Sequence, residues 1–198
     1  MKRREAIKNI GFAAGFAVIA PSFLSMLQSC TTEELWTPKF LKEEEQKALI
    51  SIVDIILPKT ENTPSATEMN VPQFIDKYID EVLELEDQEI TRAGFDSIIA
   101  KLKTNSDDSI DDVTVEQYTA LLDKHLLVKD QDDAERLANP ESELMTTSEF
   151  LGQIKWMTIN AFLSSEYVGE NILVYEPVPT AYYCGDLQEL TGGKSYSL

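Results

Sequence analysis

His125 is the one histidine of the chain, and imidazole is the side chain best suited to moving a proton near neutral pH. A Ser/His/Asp arrangement is formally possible, but no Gly-x-Ser-x-Gly turn between a strand and a helix supports it. His125 lies at helical spacing from Leu121 and Leu122 and reads as a structural or surface histidine. The acidic runs Asp107-Asp108, Asp111-Asp112 and Asp130 to Asp133 offer oxygen ligands for calcium. They lack the spacing of a calcium loop, with its central Gly and terminal Glu, and read as solvated loops. Cys30 and Cys184 are the two cysteines, and neither belongs to the close pairs that hold haem, zinc or iron–sulfur. No Gly-rich phosphate or dinucleotide fingerprint follows a strand. Trp156, Tyr167, Tyr182 and Tyr183 have the chemistry of a sugar-stacking platform, although aromatics in a small bundle more often serve the core or a subunit interface. The expectation is a chain with no catalytic, cofactor-binding or metal-binding residue of its own.

Covalent chemistry points instead to the N-terminus. Lys2, Arg3, Arg4 and Lys8 form a basic start, and an apolar stretch follows from Ile10 to Leu27. Gly11, Gly15, Pro21 and Ser22 interrupt it, whereas a comfortable membrane span needs about 20 predominantly apolar residues. The pattern is that of an export signal. Arg3 and Arg4, with Ile7 and Lys8 behind them, resemble the twin-arginine export motif. Leu27-Gln28-Ser29-Cys30 resembles a lipobox, which implies cleavage before Cys30 and acylation of its thiol. The expected organisation is a twin-arginine lipoprotein signal peptide over 1–29, a tether over 30–40 and a single helical domain over 41–198. The expected location is outside the cytoplasm, lipid-anchored on the periplasmic side of a membrane.

Charge narrows the partners. The chain has 17 basic and 35 acidic residues. The first 29 residues hold four of the basic and one of the acidic, which leaves 13 and 34, or −21, on the remainder. Nucleic acid is excluded, because phosphate binding needs clustered Lys and Arg. An anionic membrane surface repels such a domain, so a lipid must do the anchoring. With Cys30 acylated, Cys184 has no internal disulfide partner, which leaves an intermolecular pair or a free thiol, and a buried free thiol is the favoured reading.

The elements that carry these residues are helical. Leu41, Ala48, Leu49, Ile52, Val53 and Ile56 repeat at the helical period, and Pro58 ends the pattern. Residues 59–70 read as an ordered loop. A second helix is expected over 71–85, with Val71, Phe74, Ile75, Tyr78, Ile79 and Val82 on its inner face and Pro72 near its start. A third is expected over 90–104, with Phe95, Ile98, Ile99 and Leu102 inward. Thr114 with Gln117 forms a capping box that opens a fourth through Leu127, and Thr146 with Glu149 opens a fifth through about Ser164. The charged stretch 129–143 is broken by Pro140. From Glu166 onward Gly, Pro and Tyr recur and no period survives. The fold class is all-α, a small bundle of roughly five helices with an irregular C-terminal tail.

The segment Ile55-Ile56-Leu57-Pro58-Lys59-Thr60-Glu61-Asn62-Thr63-Pro64-Ser65-Ala66, with Val71-Pro72-Gln73-Phe74-Ile75-Asp76, resembles the small subunit (subunit 3) of membrane-bound gluconate 2-dehydrogenase. Members have an Ile-Ile-Pro helix end, a Thr-Pro-Gly-Ala loop and a Phe-Ile-Asp helix. Here Leu57 replaces the second Ile and Ser65 stands where Gly is usual. Pro179-Thr180-Ala181-Tyr182-Tyr183-Cys184-Gly185 looks like the family's Pro-Gly-x-Tyr end, with Thr180 for Gly. The resemblance marks Pro58, Thr63, Pro64, Ala66, Phe74, Asp76, Pro179, Tyr182 and Cys184 as fold or interface positions rather than catalytic ones. It implies a complex in which a large subunit binds FAD and oxidises a sugar or sugar acid, and a cytochrome c or another acceptor takes the electrons. The small subunit supports export, maturation or membrane attachment of that flavoprotein. The aromatic-rich tail from Tyr175 to Cys184 is the expected part of the interface. The residues themselves leave open a free-standing lipoprotein that binds a sugar or ion.

Overall fold

A first helix, α1 (Glu43–Ile56), carries Glu43, Glu44 and Glu45 in its opening turn, where carboxylates favour the positive end of the helix dipole. Its Ala48, Leu49, Ile52 and Val53 are fully buried, as their period requires. The computed structural model describes residues 36–103, 105, 108–176 and 184–197. Of the N-terminal unit, Met1–Thr37, only the last two residues are described; the bundle belongs to the second unit, Pro38–Leu198.

After the loop come α2 (Val71–Val82) and α3 (Leu85–Leu102). Asn70, at φ 56°, turns the backbone through the left-handed region just before α2. Asparagine tolerates that conformation better than most residues. The side-chain amide of Gln88 donates to the carbonyls of Ile79, Asp80 and Leu83, so the first turn of α3 covers the open end of α2. Helix α3 begins five residues earlier than its period predicts. Leu85 is exposed, so that first turn adds nothing to an inward stripe.

A single 3₁₀ turn (Ile110–Asp112) precedes α4 (Val115–His125). Both expected capping boxes are present: Thr114 with Gln117 at α4, and Thr146 with Glu149 at α6 (Thr147–Leu163). Between them lies a short α5 (Ala134–Ala138) that periodicity did not predict. It is made by a cap rather than a stripe, for the Asp133 carboxylate accepts the N–H groups of Glu135 and Arg136. Beyond α6 the chain makes one π-helical turn (Val168–Ile172) and a short α7 (Leu187–Thr191). An isolated bridge joins Val174 to Tyr196. The five long helices, the absence of strands among the described residues and the irregular tail are those expected.

Helices α1 and α6 form the centre, each packing against all the other long helices. Phe95 of α3 meets Phe150 of α6 edge to face, with ring centroids 5.0 Å apart. Gly94 lies under the same Phe150 ring, where any Cβ would collide with it. Each fully buried large side chain of this layer contributes about 1.5–3 kcal/mol through burial. Thr158, buried on α6, donates its hydroxyl to the Ile154 carbonyl, so no polar atom there is stranded. The inner face of α2 differs from expectation. Val71, Ile75 and Ile79 are buried, but Phe74 is 53% exposed and Val82 is also exposed. The stripe is centred on Ile75; Phe74 lies about 100° around the helix from it, and Val82 is the last residue of the helix.

Candidate functional site

The residues just before α1 meet a carboxylate clasp. Asp76, in the second turn of α2, is 2% exposed. One of its oxygens accepts the backbone N–H of Lys39 at 2.8 Å; the other accepts those of Phe40 at 3.1 Å and Leu41 at 2.9 Å. Glu45, 1% exposed on α1, accepts the backbone N–H of Lys42 at 2.8 Å. Arg92 of α3 donates to both Glu45 oxygens, at 3.0 and 2.9 Å, and to the Phe40 carbonyl at 2.9 Å. Its guanidinium also lies 4.1 Å from the centre of the Phe40 ring. Three helices thereby grip four residues of chain, Lys39 to Lys42. A buried carboxylate is tolerable because it accepts charge-assisted hydrogen bonds from fixed donors. The arrangement is mechanical: it fastens the segment that arrives from the N-terminus. A shallow groove beside it is lined by Lys39, Phe40, Asp80, Leu85, Gln88 and Arg92.

The loop between α1 and α2 is pinned at Ala66, whose N–H reaches the Leu57 carbonyl at 3.0 Å and whose own carbonyl accepts from Val71 at 3.0 Å. Ala66 is fully buried, so a larger side chain has no room. The Asp54 carboxylate accepts the Thr67 N–H, and Glu68 accepts that of Ser65 while pairing with Lys59. Thr60 and Thr63 close the loop's tip through their hydroxyls and backbone. Ser65 does not have a positive φ, so the glycine usual at this position is not needed for backbone reasons.

A second polar cluster holds the start of α6. Asp133 accepts the Thr146 hydroxyl at 2.6 Å, and Glu135 accepts the N–H and hydroxyl of Thr147. Arg136 pairs with Glu149 through two hydrogen bonds. The Thr146 hydroxyl and the neighbouring N–H groups hold the Asp133 carboxyl below its ordinary range, and Arg136 does the same for Glu149. Burial would raise Glu135, but the donors of Thr147 outweigh it and its carboxyl is also lowered. His125 is buried beside this cluster, its Nδ1 3.1 Å from the Ser148 Oγ and its Nε2 without a partner. Burial lowers its affinity for a proton. A nucleophilic triad needs a carboxylate on the second ring nitrogen. The nearby Asp133 and Glu135 are spent on Thr146 and Thr147, so the Ser–His pair lacks its third member. Among the described residues no group of His, Cys, Asp and Glu is placed to hold a metal ion, and no helix is long and apolar enough to cross a membrane.

Of the positions marked in the sequence, Ala66 and Asp76 are buried, Thr63 and Pro64 half-buried, and Pro58 and Phe74 exposed. Phe74 stacks on Tyr78 at the surface, with ring centroids 6.3 Å apart. Cys184 is an exposed free thiol, against the expectation of a buried one. It precedes a short capped helix and belongs to no apolar stripe that would draw it inward. Arg3, Arg4, Cys30, Pro179 and Tyr182 lie outside the described residues. Sequence reading missed Glu45 and Arg92. The available signal was a carboxylate at an inward helical position, between Leu41 and Leu49, which demands a buried cation. It also missed the outer face of α6, where Trp156 is 58% and Leu163 57% exposed on the side opposite the core.

Neither curated proteins nor solved structures offer a match to the chain. The sequence pattern of gluconate 2-dehydrogenase subunit 3, however, matches residues 43–179. That span begins with the first residue of α1 and runs through all five long helices, so it takes in Glu45, the pinned loop, Asp76, Arg92 and both capping boxes. With more than half of its length covered, the chain belongs to the gluconate 2-dehydrogenase subunit 3 family.

Proposed function

We propose that this chain is a non-catalytic accessory subunit of a periplasmic, FAD-dependent sugar or sugar-acid dehydrogenase, and that it exports and anchors the flavoprotein subunit. The family match carries this reading, since subunit 3 is by name one part of a multi-subunit gluconate 2-dehydrogenase. FAD belongs to the partner: a dinucleotide site of the usual kind needs a strand leading into a Gly-rich turn and a helix, and the matched span is helical throughout its long elements. A cytochrome c or another acceptor would take the electrons from such a complex.

Export supports the same reading. Arg3 and Arg4 stand where a twin-arginine signal needs them, and that route carries folded proteins. The sequence shows no cofactor motif that would itself call for folded export, and the route fits a chain that takes a loaded partner with it. Acylation at Cys30 would then hold the complex at the membrane, each buried methylene contributing about 0.8 kcal/mol. The expected tether over 30–40 includes Lys39 and Phe40, whose backbone Asp76 and Arg92 grip, a suitable point for load to enter the bundle.

Two variants test the reading. Arg3→Lys with Arg4→Lys is expected to strand both proteins in the cytoplasm, with the flavoprotein folded and loaded. Dehydrogenase activity with an artificial acceptor is measured in periplasmic and cytoplasmic fractions. Normal periplasmic activity, with this subunit retained inside, would show that the flavoprotein travels alone. Cys30→Ala is expected to give a soluble or unprocessed chain; membrane partitioning at the mature mass would end the lipoprotein reading.

A further inference from the structure

Helix α6 carries apolar residues on two opposite sides, with Glu149, Gln153, Lys155 and Asn160 between them. Phe150, Leu151, Ile154, Met157 and Ala161 face the core and are buried. Gly152, Trp156, Ile159 and Leu163 occupy the opposite side at steps of four, three and four residues, the spacing of a seam that pairs with another helix. Trp156 and Leu163 are exposed, and a Cβ built on Gly152 meets nothing within 4 Å. A helix at the surface of a domain normally turns a polar face outward, so a second apolar stripe opposite the core calls for a covering partner. Here the described helices pack on one side, and Trp156 and Leu163 on the other remain exposed.

Charge singles out the same face. The seam lies on a chain of net charge −18, yet Glu149 and Lys155 are the only charged residues of α6. Glu149 is taken up by Arg136 and by the Thr146 N–H. The other long helices show carboxylates outward: Glu43 and Glu44 on α1, Asp80 and Glu81 on α2, Glu86 and Asp87 on α3, Glu116 and Asp123 on α4. Depletion of charge around an exposed tryptophan is the mark of an interface centre.

We propose that the Gly152–Trp156–Ile159–Leu163 seam is the docking surface for the flavoprotein subunit, which lays an apolar helix along α6 with a side chain seated in the notch at Gly152. The proposal rests on the accessory-subunit reading and adds the place and form of the contact. A second copy of this chain is the poorer occupant. It would bring an equally acidic molecule against Glu143 and Glu166, the exposed carboxylates at the two ends of α6. The preferred partner is apolar along its ridge, offers a carboxylate to Lys155 and carries cations near the helix ends.

The test uses the full chain, affinity-tagged and expressed with its native neighbours, with a photo-crosslinking benzophenone amino acid in place of Trp156. Gly152→Arg adds bulk on the open face without touching the core, and arginine is a good helix former. Leu85→Asp, at the exposed first turn of α3, is the control. Expected is a crosslink from position 156 to a flavin-containing polypeptide. Gly152→Arg should recover at least about tenfold less flavin per chain, the loss typical of an interface centre, while Leu85→Asp recovers the wild-type amount. Circular dichroism verifies that both variants remain folded. Wild-type flavin recovery by folded Gly152→Arg overturns the seam and leaves the accessory-subunit reading standing. A wild-type chain that captures no flavin overturns that reading, and the seam proposal with it. A dimer of the purified chain that Gly152→Arg converts to monomer assigns the seam to a second copy and overturns the proposal.

Discussion

Asp76→Ala is the sharpest probe of the clasp. The substitution removes the acceptor for three backbone N–H groups and leaves them without a replacement from the chain. The Leu41 N–H is buried, so its loss of a partner costs about 1–3 kcal/mol. The N–H groups of Lys39 and Phe40 are part-buried. Water can reach them, and each loses about 0.5–1.5 kcal/mol, the net worth of an ordinary hydrogen bond. The sum is roughly 2–6 kcal/mol, a large share of the stability of a single domain. Asp76→Asn keeps one acceptor oxygen but turns an NH₂ toward backbone donors, and should fall between wild type and alanine. Urea unfolding followed by helical circular dichroism gives the free-energy difference, and amide hydrogen exchange reports Lys39, Phe40 and Leu41 separately. Those three amides should exchange faster than the core of α1 in Asp76→Ala. A loss below about 1 kcal/mol, or unchanged protection at the three amides, would refute the argument that this carboxylate fastens the incoming segment.

Arg92→Met should cost about 3–5 kcal/mol, because it leaves Glu45 buried without its principal cation; the double variant with Glu45→Gln should recover part of that loss in the same urea titration. Gly94→Ala forces a methyl into the Phe150 ring and should destabilise by at least about 1–3 kcal/mol, whereas Gly152→Ala, in open space, should stabilise by about 0.5–1 kcal/mol. Opposite shifts in thermal midpoint verify the pair, and equal shifts contradict it. His125 binds its proton less readily folded than unfolded, so its contribution is present above its ordinary value of 6.5 and is lost as pH falls below it. The unfolding midpoint should therefore decline through that range and flatten in His125→Gln. A second decline, from Asp133 and Glu149, should begin only below 4.5. Cys184 should react with a maleimide in the native protein as fast as in urea, as read by peptide mass; slow native labelling would contradict its exposure.

Five helices, two capping boxes and the family were legible in the amino-acid sequence because each rests on residues close together in the chain. A helical period needs neighbours three and four apart, and Thr114 with Gln117 or Thr146 with Glu149 closes a box within one turn. The motif around Pro58 to Asp76 is likewise one continuous stretch, and it was enough to point to the family that the match over residues 43–179 shows. Contacts between distant residues were decided only by the fold. Asp76 reaches Leu41 across 35 positions, and Arg92 reaches Glu45 across 47. Periodicity reports that a side is apolar but not whether anything covers it. On α2 it placed Phe74 inward, and the packing of α1 and α6 against the Ile75 side left that ring outside. On α6 both sides are apolar, and the other four long helices pack against one of them. Trp156 and Leu163 stay exposed because burial depends on the sum of surfaces that remote segments bring together, a quantity that no local pattern contains.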